Sequence, residues 1–180
     1  MTSEVVGTPR EATQVEMKVS GLTIDPYTNM PILILKDLQG RDAVPIWIGL
    51  IEASAIATEL EKIELSRPMT HDLMKTILGA VGVSVERVEV TDLRENTFYA
   101  SIFLTRDGHT FSVDSRPSDA IALALRTGSV IRVARKVIEK SRSIDLRSVA
   151  GREDARAIDD ETYRRFLENL SEDAFGKWKM

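Results

Sequence analysis

The chain has 180 residues, of which 43% are apolar and 29% charged, with a net charge of −4. That length suits one domain with a tail, and its core needs neither metal nor disulfide to fold. Cysteine is absent and only His71 and His109 are present, which excludes disulfide frameworks, thiolate metal sites, cysteine nucleophiles and a histidine-rich zinc site. No stretch approaches the roughly 18 apolar residues of a membrane span, and the start, MTSEVVGTPREATQ, has no secretory pattern. The expectation is a cytoplasmic protein without membrane contact.

Residues 1–14 read as a polar, flexible arm. From Val15 the chain is extended as far as the turn Asp25-Pro26-Tyr27-Thr28-Asn29. Ile32–Leu35, apolar at every position, reads as a strand covered on both faces. Gln39-Gly40-Arg41-Asp42 then returns the chain into Ala43–Ile48. A helix follows over Leu50–Leu65, with Ala53, Ile56, Ala57, Leu60 and Ile63 at helical spacing. A second is capped by Thr70, carries Leu73, Met74, Ile77, Leu78 and Val81 on one face, and ends at Gly82.

Strands Ser84–Thr91, Thr97–Thr105 and His109–Asp114 come next, the last two joined by an Asp-Gly hairpin signal at Asp107-Gly108. A third helix covers Pro117–Arg126 and stops at Gly128. A short strand, Val130–Val133, and a short helix, Ala134–Lys140, complete the domain over 15–140. Residues 141–160 read as a polar linker. Over 161–180, Tyr163, Phe166, Leu167 and Leu170 fall at i, i+3, i+4, i+7, an amphipathic C-terminal helix. The order of elements predicts an α+β fold with a mostly antiparallel sheet and three main helices. The apolar strand and the C-terminal stripe predict a homo-oligomer, most simply a dimer.

Charge is uneven. Residues 116–147 hold eight basic side chains against three acidic ones. Such a stretch either meets an anion or pairs with acids elsewhere in the fold.

Three segments carry potential chemistry. Asp114-Ser115-Arg116-Pro117-Ser118-Asp119 joins a strand to a helix, where free N–H groups and the dipole favour phosphate. Arg116 and Ser118 are phosphate ligands, and Asp114 and Asp119 are a pair able to hold Mg²⁺ or Mn²⁺. The alternative is that the acids cap the turn and Arg116 pairs internally. Arg67-Pro68-Met69-Thr70-His71-Asp72 repeats the layout, with Arg67 for phosphate and His71 and Asp72 for proton transfer. Here the alternative is a cap, a dipole partner and a surface ring. Pro45-Ile46-Trp47-Ile48-Gly49-Leu50-Ile51-Glu52 runs a strand directly into a helix, and Glu52 either joins a metal cluster or favours the dipole. There is no phosphate loop, dinucleotide fingerprint or Gly-x-Ser-x-Gly elbow.

Four stretches in this order, PIWIGLIEASAIA, RPMTHDLMKTIL, FYASIFL and DSRPSDAIALALR, resemble the bifunctional nuclease (BFN) domain family over about residues 15–140. The tail YRRFLENLSEDAF is similar to the C-terminal extension of bacterial members. The resemblance implies a compact, usually self-associating α+β domain and nuclease activity on DNA and RNA. Its matched polar positions are Glu52, Arg67, Thr70, His71, Asp72, Asp114, Arg116, Ser118 and Asp119. The expected function is thus a metal-assisted nuclease with nucleic acid as its substrate. The rival is a non-catalytic oligomeric binding or regulatory module for an anion or a protein partner.

Overall fold

The computed structural model describes residues 14–149 except residue 27, with side chains as far as residue 142. The arm before residue 14, the later part of the linker and the helix expected over 161–180 lie outside the described residues.

Seven strands and four helices follow one another: β1 (Gln14–Ile24), β2 (Pro31–Asp37), β3 (Ala43–Trp47), α1 (Leu50–Leu60), α2 (Thr70–Ala80), β4 (Ser84–Arg94), β5 (Thr97–Arg106), β6 (His109–Ser115), α3 (Pro117–Thr127), β7 (Val130–Ala134) and α4 (Arg135–Val149). The fold is α+β. All strands join one sheet in the order β3-β2-β1-β7-β4-β5-β6, antiparallel except where β7 runs parallel to β4.

Local chemistry accounts for most element ends. Asp107 and Gly108 both take positive φ, 50° and 77°, the geometry of a tight turn that matches strand twist. Glu95 and Asn96 do the same between β4 and β5, at 48° and 61°. β4 therefore runs through Asp92, which sequence places in the turn, and extra residues near Val85/Arg87 and Val90/Asp92 shift its register. α1 stops at Leu60 rather than Leu65. Lys62 adopts a left-handed φ of 53°, its N–H bonds Glu59 O, and the Ile63 N–H bonds Thr58 O at 3.0 Å, a Schellman closure. α4 extends past the expected Lys140 to Val149, into the segment read as linker.

The core is aliphatic, with Leu33, Leu35, Val44, Ile56, Val88, Ile121, Val133 and Val137 fully buried. On β2 burial alternates, so Ile32 and Ile34 are half-buried rather than covered on both faces. α3 is the central helix, contacting α1, α2, β4, β5 and β7. Ala120, Ala122 and Ala124, each 1% exposed, let these neighbours approach closely. Of the apolar side chains on α2 only Met74 and Leu78 turn toward the core, while Leu73, Ile77 and, at the C-cap, Val81 stay about half exposed.

The basic stretch is held largely by internal acids. Six of its eight cations form ion pairs: Arg116 with Glu52 and Asp119, Arg126 with Asp72, Arg135 and Arg142 with Asp42, and Lys136 and Lys140 with Asp92. Asp42 and Asp92, both 7% exposed, thereby tie α4 to the β2–β3 turn and to β4. Hydrogen bonds from Arg94, then Lys140, Lys136 and the Leu93 N–H, hold the Asp92 carboxyl far below the usual carboxylate range. A depressed folded-state pKa gives stability that is complete above the unfolded pKa and lost as pH falls below about 4. Melting curves between pH 7 and pH 3 should therefore show an acid-side loss of stability that Asp92→Asn reduces.

Candidate functional site

The N-termini of α1, α2 and α3 converge, and the sequence explains each start. β3 passes into α1 through Ile48 and Gly49, so Glu52 enters the first turn. Asp72 sits in the first turn of α2. Pro117 opens α3 with its fixed φ, and Arg116 precedes it as N-cap.

A continuous polar chain links the three starts. Arg116 Nη1 donates to Glu52 Oε1 at 2.7 Å, and its Nε donates to Asp119 Oδ2, also at 2.7 Å. Asp119 Oδ1 lies 3.2 Å from His71 Nε2. The His71 ring is buried, at 8% exposure. Beside it, Arg126 Nε donates to Asp72 Oδ1 at 2.5 Å, and Asp72 Oδ2 accepts the Met69 N–H at 2.8 Å. Arg126 also donates to Ala122 O and Ala55 O, both at 3.0 Å. The two arginine–proline–acid segments seen in the sequence therefore meet.

Electrostatics follow from this geometry. Asp119, and then Glu52, raise the Arg116 pKa, so the guanidinium is a permanent cation. Desolvation alone would raise the Asp72 pKa, but the Arg126 hydrogen bond, the Met69 N–H and the Arg126 and His71 charges outweigh it. Asp72 is thus held below the ordinary carboxylate range and serves the α2 N-terminus as an anion.

Several local roles differ from expectation. Thr70 is the first helical residue rather than the cap. The N-cap is Met69, whose N–H is satisfied by Asp72. Ser115 Oγ donates to Arg116 O, and Ser118, expected as a phosphate ligand, is buried in the first turn of α3. Asp114 is exposed on β6, and Arg67 is exposed in the loop before α2. Sequence reasoning missed Arg126. Its signal is a single charge ending the apolar run Ile121-Ala122-Leu123-Ala124-Leu125, since a buried charge requires partners.

Two hollows flank Arg116. One, of about 460 Å³, lies between α2, α3 and the β5–β6 strands, with Met74, Leu78 and Val113 on its apolar wall and Asp114, Arg116 and Asp119 on its polar rim. The other, of about 270 Å³, includes Trp47, Gly49, Glu52, Phe98 and Ser118.

A divalent ion does not fit the carboxylates as they stand. Both Asp119 oxygens are committed, Glu52 holds the same arginine, and among the described residues no three such ligands cluster. Arg116 supplies the positive charge at their centre.

A methyl group built at Gly49 would sit 2.2 Å from Glu52 Oε2, so the glycine leaves room for the carboxylate in this position. Gly49→Ala should displace the flexible end of Glu52 at a cost of about 1 kcal/mol or less. NMR of the Arg116 side-chain N–H groups should show faster exchange with water, while the melting temperature moves little.

A family model described as the bifunctional nuclease domain matches residues 33–145. The chain belongs to the bifunctional nuclease domain family. The matched segment contains every residue of the polar chain just described. An uncharacterized protein of Mycobacterium tuberculosis is 37% identical over 166 residues, covering 89% of this chain and 97% of its own length. Bifunctional nuclease 1 of Oryza sativa subsp. japonica is 28% identical over 109 residues, 58% of this chain and 33% of the rice protein. Bifunctional nuclease 1 of Arabidopsis thaliana is 27% identical over 128 residues, 69% of this chain and 39% of the plant protein. This chain thus spans about a third of the plant proteins but nearly all of the mycobacterial one. Among the described residues no helix is long and apolar enough to cross a membrane.

Proposed function

We propose that the protein is a nuclease that hydrolyses phosphodiester bonds of DNA or RNA at the junction of the three helix N-termini. The observation that carries this reading is the chain Glu52–Arg116–Asp119–His71, in which a carboxylate orients a histidine and an arginine stands at a helix start. A phosphate oxygen is recognised by the Arg116 guanidinium together with the free N–H groups of the first turn of α3. Arg67, exposed and without an ion pair among the described residues, adds a second cation from the loop before α2. His71, aligned by Asp119, takes the proton from the attacking water. Asp114 stands at the open rim, and Asp72 holds α2 in place through Arg126. The rice and Arabidopsis relatives named as bifunctional nucleases support the same chemistry.

A second reading rests on a different observation. Arg116 is paired with Glu52 and Asp119, and Arg126 with Asp72, as in the joint of a non-catalytic binding or regulatory module. The two readings separate in one assay. Rigorously purified protein is offered single- and double-stranded DNA and RNA, with Mg²⁺, with Mn²⁺ and with chelator. Cleavage that co-elutes with the protein and disappears in His71→Gln supports the nuclease. Cleavage absent under every condition, or unchanged in that variant, overturns it.

A further inference from the structure

We propose that β6 is the contact strand of a symmetric dimer, pairing antiparallel with β6 of a second copy about Ser112. Among the described residues the strand order leaves two edges, β3 and β6, and the chain treats them differently. β3 has five residues, carries Pro45 in its middle and is packed by α4. Proline removes a backbone donor and protects an edge from further pairing. β6 has seven residues, HTFSVDS, with no proline and no lysine, and all but the last are exposed. Its outer row of N–H and C=O groups is a template for another strand.

The side chains of β6 suit a copy of itself. Antiparallel pairing centred on Ser112 places Phe111 opposite Val113 of the second copy, and Val113 opposite its Phe111. Aromatic and β-branched residues are a favourable cross-strand pair. The same register sets Asp114 opposite Thr110, so no like charges meet. A register slip of four residues, which centres the axis on Asp114, would bring the two aspartates together.

The apolar face continues beyond the strand. Phe111 and Val113 pair in register with Leu104 and Ile102, and Val113, Ile102 and Leu104 line the hollow of about 460 Å³ together with Met74 and Leu78. Phe111 of the second copy, set against Val113, lies at the mouth of that hollow. Phe111 and Val113 are 46% and 45% exposed, and Leu73, Ile77 and Val81 of α2 add a further apolar line at 52%, 53% and 50%. The dimer would join two seven-stranded sheets into one and partly enclose the hollow on whose rim Asp114, Arg116 and Asp119 stand.

The absence of native cysteine makes the test clean. A cysteine at position 112 lies on the proposed axis, opposite its own copy, within the Cα separation of roughly 4.4–6.8 Å that a disulfide spans. Full-length Ser112→Cys under mild oxidation should run mostly as a covalent dimer on a non-reducing gel, while Ala43→Cys on the β3 edge should not. The wild-type chain should sediment at about twice its 20.1 kDa. Phe111→Lys and Val113→Lys, exposed substitutions with circular dichroism checked, should sediment as single chains. A wild-type monomer, an oligomer whose Ser112→Cys form stays uncoupled, or cross-linking of Ala43→Cys in its place overturns the proposal. None of these outcomes depends on nuclease activity, so the dimer and the nuclease reading stand or fall separately.

Discussion

His71→Gln is expected to lower phosphodiester cleavage by about 10²–10⁴-fold, the span that general acid–base groups contribute. Glutamine keeps a polar side chain within reach of Asp119 but cannot shuttle a proton at neutral pH. Asp119→Asn should fall in the same direction for two reasons. An amide keeps only one acceptor oxygen and no charge, so it cannot serve both His71 Nε2, 3.2 Å from Oδ1, and Arg116 Nε, 2.7 Å from Oδ2. The released guanidinium then has only Glu52, so phosphate binding and proton transfer both lose their alignment. Asp114→Asn is the informative contrast. Asp114 is exposed and has no ion pair among the described residues, so this change should leave the melting temperature unaltered. A large loss of activity in Asp114→Asn would mean that the rim carboxylate works directly on the substrate or on a cation that arrives with it. Activity and melting temperature are to be read on the same preparations. Loss of stability with intact cleavage in Asp119→Asn would assign the polar chain to helix assembly alone.

What the sequence discloses is governed by range. The Asp107-Gly108 turn, the proline start of α3, the Gly128 stop and the helical spacing of Ala53, Ile56 and Ala57 are local signals. Each appears in the structure where local chemistry places it. The α1 end is also local in cause, but it uses Lys62 in a left-handed conformation, and lysine carries no turn signature. β4 is longer than expected because Asp92 looks like a turn residue. It is in fact a buried carboxylate satisfied by Arg94, Lys136 and Lys140. Pairing with acids elsewhere is one of two readings of the basic stretch in the sequence, but the partners themselves are out of reach for the same reason. Arg126 pairs with Asp72 across 54 positions and Arg142 with Asp42 across 100, and no periodicity encodes such distances. At the site, the sequence places Glu52, Asp72 and Asp119 at three helix starts, and the family motifs group them. That Glu52 and Asp119 would close on Arg116 rather than around a shared ion depends on how α1 and α3 pack through their alanines. Small residues announce close packing without saying which charges it will bring together.

Arg126→Met is expected to destabilise the protein by about 3 kcal/mol, a drop of roughly 6–12 °C in melting temperature for a chain of this size. Methionine fills much of the same volume, so the cost reports the lost hydrogen bonds and charge rather than a cavity. The Arg126 side chain is only 3% exposed, and it serves three helices at once: Asp72 of α2, Ala55 O of α1 and Ala122 O of its own helix. Removing one partner of a buried ion pair costs up to about 3–5 kcal/mol when the remaining charge is fully buried. Asp72 is 36% exposed at its side chain, so water can take over part of its solvation and the lower end of that range applies. The double change Arg126→Met with Asp72→Asn should recover part of the loss, because the stranded carboxylate is gone. It should not recover all of it, since Asp72 also serves the Met69 N–H. Full additivity of the two single changes in urea melts would show that the pair contributes nothing beyond its separate contacts. A loss below about 1 kcal/mol, within the range of an ordinary exposed pair, would mean that the alanine packing of α3 alone holds the helices. Because Asp72 adjoins His71 on α2, Arg126→Met should also lower kcat through a displaced His71 ring.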